Sequence, residues 1–158
     1  MKKFAVGTAM VNHLNRQRVI SFLKRFETGD TEATLARCSN DIDVVANAPV
    51  DILPHMGHRR GKDEVRQMWK TIHGSYSSIR HELKTIVAED DKVAVDMRAY
   101  YRKRANRRIV QFDMAAFYTL KNGRITHIRE ILDSFDLVQQ VLERDLTATL
   151  LGNKPSDA

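Results

Sequence analysis

Apolar residues recur at helical spacing in three stretches of the chain. Val19, Phe22, Leu23 and Phe26 share one face of a helix expected from about Asn15 to Glu27. Val65, Met68, Trp69 and Ile72 follow the i, i+3, i+4, i+7 pattern over about Lys62 to His73, with Gly74 as the stop. Leu137, Val138, Val141 and Leu142 repeat it in a closing helix that Ser134 would cap. Gly29 reads as a left-handed stop for the first helix. Asp30 or Thr31 then opens a short second helix carrying Leu35 and Cys38.

The period changes from 3.6 to 2 elsewhere. Ile42 to Asn47 is β-branched enough for a strand, and the following stretch to Arg60, with Pro49, Pro54 and Gly57, reads as a loop. From Ile79 onwards four strands are expected: Ile79–Ala88, Val93–Arg102, Ile109–Leu120 and Arg124–Leu132. Asn122-Gly123 between the last two is the strongest hairpin signal, because both residues tolerate the positive φ of a tight turn. Helices, one strand, a helix and then an antiparallel meander make the fold class α+β. Strands this long twist and coil, so helices laid on the inner side produce a cone with an apolar pocket.

Composition narrows the picture. The 158 residues suit one domain, expected over 15–151, with an arm before it (1–14) and a flexible tail after it (152–158). Hydrophobic residues at 42% and charged residues at 29% describe a folded, water-facing protein rather than a disordered one. No apolar run reaches the length of a membrane span, and the short apolar N-terminus lacks the cleavage pattern of a secretory signal. The single cysteine, Cys38, excludes an internal disulfide and fits a reducing, cytoplasmic setting. A net charge of +6 favours anionic partners only weakly.

Several segments carry a resemblance beyond composition. They are Glu27-Thr28-Gly29-Asp30, Asn40 to Val45 entering the first strand, Gly61-Lys62-Asp63-Glu64-Val65, and the run from Phe117 to Asp133. Over about Asn15 to Leu142 the chain resembles the nuclear transport factor 2-like superfamily, in its SnoaL-like branch. That superfamily includes ketosteroid isomerases, limonene epoxide hydrolase and polyketide cyclases. The resemblance implies a curved antiparallel sheet packed against N-terminal helices, cofactor-free acid–base chemistry, and homodimerisation through the outer face of the sheet.

Carried over residue by residue, the resemblance discriminates among activities. The positions that hold the Tyr, the base and the oxyanion Asp of ketosteroid isomerases fall on Phe22, near Ala46 and near Ala116, none of which can carry a proton. The epoxide-hydrolase pattern fits in part. Asn47 matches that family's strand Asn, Val45 replaces its Tyr, and Glu130 takes the second acidic position. Asp96 and Arg98 stand in reversed order on the strand that should read Arg-x-Asp. A spacing of two puts Asp96 and Arg98 on one strand face. With Glu130 they would form a carboxylate–guanidinium–carboxylate cluster, with Asp96 as base or orienter, Arg98 as clamp, Glu130 as acid and Asn47 as the partner of a water or carbonyl. The competing interpretation is a salt-bridge ladder that needs no substrate.

The bulky set Phe22, Phe26, Met68, Trp69, Phe112, Met114, Phe117 and Tyr118 is expected to form core and, in part, to line the cone. All but Phe117, together with the rim residue His58, are the expected ligand contacts for a small hydrophobic molecule. His55 and His58 lack the acidic partners of a metal site, and none is expected. Asp113 and His127 read as structural. Arg102 to Arg108 supplies five positive charges at a hairpin tip beside Tyr100 and Tyr101; a solvated tip that resists edge pairing is favoured over a nucleic-acid surface. A non-catalytic binding or assembly module is the alternative to an enzyme.

Overall fold

In the computed structural model residues 2–152 are described, with side chains from residue 7 onwards. Helix α1 spans Lys2–Glu27, 26 residues and twice the expected length. Val19, Phe22, Leu23 and Phe26 are buried as the stripe requires, whereas most residues from 7 to 14 are exposed. The segment expected as an arm is therefore helical from Lys2. Most of its described side chains face solvent, so no apolar stripe marks it in the sequence, although Asn12 accepts from the Asp90 N–H at 2.9 Å. The tail from 153 lies outside the described residues.

Helix α2 is Thr31–Leu35, and the Asp30 carboxylate caps it by accepting from the Ala33 N–H at 2.9 Å. Cys38 does not belong to α2; it opens strand β1, Cys38–Ala46, which starts earlier than the β-branched run suggests. The Pro-containing loop returns through a short strand, β2, His58–Arg60, paired antiparallel with β1. Helix α3, Gly61–Ser75, continues through Gly74 and buries Val65, Met68, Trp69 and Ile72.

The meander follows: β3 Tyr76–Glu89, β4 Lys92–Lys103, β5 Ile109–Lys121 and β6 Arg124–Leu132. Asn122 and Gly123 adopt φ of 51° and 75°, the left-handed pair that a tight β5–β6 turn demands. Two short helices close the chain, α4 Ser134–Leu142 and α5 Leu146–Leu150. Asp133 caps α4 through the Asp136 N–H, and Ser134 is the first helical residue rather than the cap.

The six strands form one curved sheet in the order β2-β1-β6-β5-β4-β3. Only the β1–β6 pair is parallel. α1 lies on β3 and β4, α3 on β1, and α4 on β5. Burial alternates along β4, where Val93, Val95, Met97 and Ala99 face the helices, and along β5, where Val110, Phe112, Met114, Ala116 and Tyr118 do. Phe22 meets Trp69 and Tyr118 edge-on, with ring centroids 5.7 and 5.8 Å apart, and so ties α1 to α3 and to the sheet. Each such pair adds about 0.5–1.5 kcal/mol beyond its burial. Ladder irregularities between Leu83 and Thr85 and between Thr119 and Leu120 bend the sheet and shift side-chain parity.

Candidate functional site

The concave face of the sheet and the helices above it leave a cavity of about 60 Å³. α1 supplies Phe22, Leu23 and Phe26, and α3 supplies Met68, Trp69 and Ile72. Phe112, Met114 and Tyr118 come from β5, and Leu137 and Val141 from α4. All seven aromatic and Met residues expected as ligand contacts line it. Phe117 does not; it lies on the opposite face of β5 and is 47% exposed. That is well short of the roughly 150 Å³ at which an engineered apolar cavity takes up benzene. A ring-sized ligand therefore requires side chains to move, and Met56, Met68 and Met114 are the adaptable ones in the wall.

Glu130 is the one acidic residue among the described lining residues. It stands on β6 between Ala46 of β1 and Ala116 of β5, the neighbours across both ladders. Its carboxyl has no hydrogen bond or ion pair with any described residue, and burial pushes it from an ordinary 4.5 up to about 7. The Tyr118 hydroxyl also has no partner among the described residues. Burial and the nearby Glu130 hold the Tyr118 and Tyr101 phenols well above their ordinary range. An acid that is half protonated near neutrality inside an apolar chamber is a competent proton donor or acceptor.

The expected cluster around Glu130 does not assemble. Asp96 and Arg98 lie on the outer face of β4, because the alternation that turns Val95, Met97 and Ala99 inward turns them outward. Arg98 there donates to Asp113 at 3.1 Å, and Lys84 donates to the same oxygen at 2.8 Å. Those hydrogen bonds, Lys84's first, hold the Asp113 carboxyl below its usual range. The ion pairs on this face are those of Lys84 and Arg98 with Asp113, and they include neither Asp96 nor Glu130. The apolar odd-numbered set of β4 already carried the parity signal.

Asn47 is likewise outside the lining. Its side-chain oxygen accepts from the Leu132 N–H at 2.9 Å, and its own N–H donates to the Glu130 carbonyl at 3.1 Å. It extends the β1–β6 ladder and fixes the strand that carries Glu130. His58 is on β2, 2.5 Å from Asp43, and away from the cavity. The loop histidine that reaches the lining is His55, whose imidazole burial, with help from Arg59, pushes down.

Sequence reasoning missed Tyr76 and His81 of β3 and Tyr101 of β4, all in the wall. His81 donates its backbone N–H to Glu27, the last residue of α1, at 2.5 Å, and its Nδ1 lies 3.2 Å from the same carboxylate oxygen. Its Nε2 is 3.4 Å from the Tyr101 hydroxyl. Cys38 is fully buried, and burial pushes its thiol up to about 12, which leaves it unreactive. Among the described residues no three His, Cys, Asp or Glu side chains gather as metal ligands. Among the described residues no helix is long and apolar enough to cross a membrane.

The basic hairpin is largely engaged. Lys103 donates to the Gln140 and Val141 carbonyls and to Glu143, and Arg108 also pairs with Glu143. Arg104 donates to the His73 carbonyl. The tip is thus a clasp on the end of α4, at the edge of a groove that shares Leu53, His55, Tyr76 and Val141 with the cavity.

The model of the SnoaL-like domain matches residues 19–128, the span that holds the first two helix stripes and most of the meander. The chain belongs to the SnoaL-like domain family. Solved SnoaL-like and related folds superpose on it closely. An isomerase candidate from Rhodopseudomonas palustris is 28% identical, with a TM-score of 0.70, covering 78% of this chain and 91% of its own. A nuclear transport factor 2-like protein from Burkholderia xenovorans is 22% identical, with a TM-score of 0.67 and coverage of 81% and 95%. An epoxide hydrolase from M. tuberculosis, like limonene epoxide hydrolase, is 18% identical, with a TM-score of 0.69 and coverage of 90% and 98%. No curated protein matches the sequence.

Proposed function

We propose that this SnoaL-like protein binds a small hydrophobic oxygenated molecule in the cone and acts on it by cofactor-free acid–base chemistry, with Glu130 as the proton-transferring acid. Isomerisation, dehydration, cyclisation and epoxide hydration all fit that description. The observation that carries the reading is the unpartnered Glu130 carboxyl in an apolar chamber, raised to about 7. The neighbours described as an isomerase candidate and as an epoxide hydrolase support the reaction class. The single buried thiol fits a cytoplasmic protein.

The test is a panel of small epoxides, enones and β-hydroxy ketones, followed by mass spectrometry for turnover and by calorimetry for binding. Glu130→Gln should cut turnover of the accepted compound by about a hundredfold or more while its affinity changes little. Asp96→Asn, on the outer face, should change neither. Equal turnover by the wild type and Glu130→Gln, or none by the wild type, removes the enzyme reading.

A binding or assembly module is the second reading, and the small resting cavity favours it. Its assembly surface would be the outer sheet face, where Phe117 and Ile131 stand 47% and 42% exposed.

A further inference from the structure

We propose that His81 and Tyr101 of the cavity wall, with Glu27 behind His81, form a proton-accepting relay, so that the site removes a proton from its substrate on the β3–β4 side and returns one from Glu130 on β6. The proposal rests on reading the cavity as an acid–base site. It adds the base that this reading lacks and restricts the substrate to a molecule with an acidic C–H or O–H at one end and an oxygen at the other.

The geometry assigns each part. The His81 side chain is 2% exposed, and its ring lines the cavity. With Nδ1 facing the Glu27 carboxylate at 3.2 Å, the ring proton sits on Nδ1 and Nε2 is left as an acceptor. The group opposite Nε2 is the Tyr101 hydroxyl, at 3.4 Å. That separation is long for a resting hydrogen bond, as is common before a ligand closes a site. The phenol can only donate to Nε2, so its oxygen lone pairs are free for the chamber. A substrate X–H gives its proton to the Tyr101 oxygen as the phenolic proton passes to Nε2. The electron pair of X–H stays on the substrate, and the imidazolium is held against Glu27. Glu130 then supplies a proton to the other end of the substrate, and exchange through solvent or product resets the two groups.

Glu27 occupies an unfavourable place for a merely structural carboxylate. It is the last residue of α1, where the helix dipole is negative. Burial would also raise its pKa, yet the ring and backbone hydrogen bonds of His81 outweigh that and hold it below its usual value. The other groups facing the relay are Arg80, beside Glu27, and Tyr76 and Glu130, which face Tyr101. His73 reaches the same corner from α3 but packs against Phe26, with ring centroids 4.8 Å apart and planes tilted by 50°.

The relay is tested with 5-nitrobenzisoxazole, whose opening needs only a base to take its C–H proton as the N–O bond breaks to a coloured phenolate. His81→Gln and Tyr101→Phe should each lower kcat/KM by about a hundredfold, and Asp96→Asn, on the outer face of β4, should leave it unchanged. Glu27→Gln should lower kcat by about tenfold with KM little changed, because the ring loses the carboxylate that holds its Nδ1–H and orients Nε2. A structural role for the trio would move melting temperature without that split between kcat and KM. Wild type no faster than His81→Gln, Tyr101→Phe as fast as wild type, or loss that follows Glu130→Gln alone overturns the relay. Tyr101→Phe removes a single oxygen and serves where His81→Gln does not fold. Glu130 is intact in the three relay variants, so their failure leaves the turnover panel unaffected.

Discussion

Glu130 faces Ala116 directly across the β5–β6 ladder, and the alanine methyl leaves the carboxyl uncovered towards the cavity while offering it no hydrogen bond. The carboxyl therefore pays for desolvation without compensation. Its folded-state pKa lies above its unfolded value, so the folded protein holds the proton more tightly. Stability is full below about pH 4.5, falls as pH rises towards 7, and is level above that. The span corresponds to about 3 kcal/mol. Glu130→Gln should match the wild type in acid and exceed it in mild alkali, by up to that amount. Urea unfolding at both ends of the window measures it. A variant that is less stable at high pH would show that the ionised carboxyl has a partner.

The outer face gives a separate expectation. Phe117 and Ile131 project from adjacent strands into solvent, flanked by the Lys84–Asp113–Arg98 cluster. Lone exposed apolar residues are ordinary, but neighbouring ones rimmed by charge mark contact surfaces. Phe117→Lys should convert a dimer to a monomer in sedimentation velocity and leave the fold and the cavity unchanged. A wild type that sediments as a monomer at every concentration removes the dimer.

The sequence made some of this legible and hid the rest for physical reasons. The α3 stripe and the Asn122-Gly123 turn are local signals, and local geometry obeys them. Glu130 shares its parity with Ile128 and Leu132, which places it inside. A spacing of two puts Asp96 and Arg98 on one face of β4 but says nothing of whether that face is Glu130's; the alternation of Val93, Val95 and Met97 is the local pattern that turns them outward. The ladder irregularities near Leu83 and Thr119 leave no composition signal. The pairing of Glu27 with His81 spans 54 positions in sequence and depends on where α1 ends over β3, so no local pattern announces it.

Lys103 should matter to the end of the fold more than to any anionic partner. Its ammonium donates to the last carbonyls of α4 and to Glu143, with only 13% of the side chain exposed. Those carbonyls have no partner within the helix, and a cation there also complements the dipole. Lys103→Met keeps the stem and removes the donors, at a cost of about 1–3 kcal/mol. Hydrogen exchange should show faster opening of α4 with little change in α3. Equal protection of the two helices would mean that α4 is held by Leu137 and Val138 alone.

Phe22 is the residue on which core stability and cavity shape meet. It contacts Trp69 from α3 and Tyr118 from β5, and all three line the same chamber. Phe22→Ala removes two edge-on ring contacts and leaves a void that the wall fills only in part. The expected loss is about 3–5 kcal/mol in urea unfolding. The same void enlarges a cavity of about 60 Å³, so a small apolar probe such as benzene should raise the melting temperature of the variant more than that of the wild type. A cost near zero would mean that the methionines collapse into the space. An equal benzene response in both proteins would mean that the enlarged chamber does not stay open.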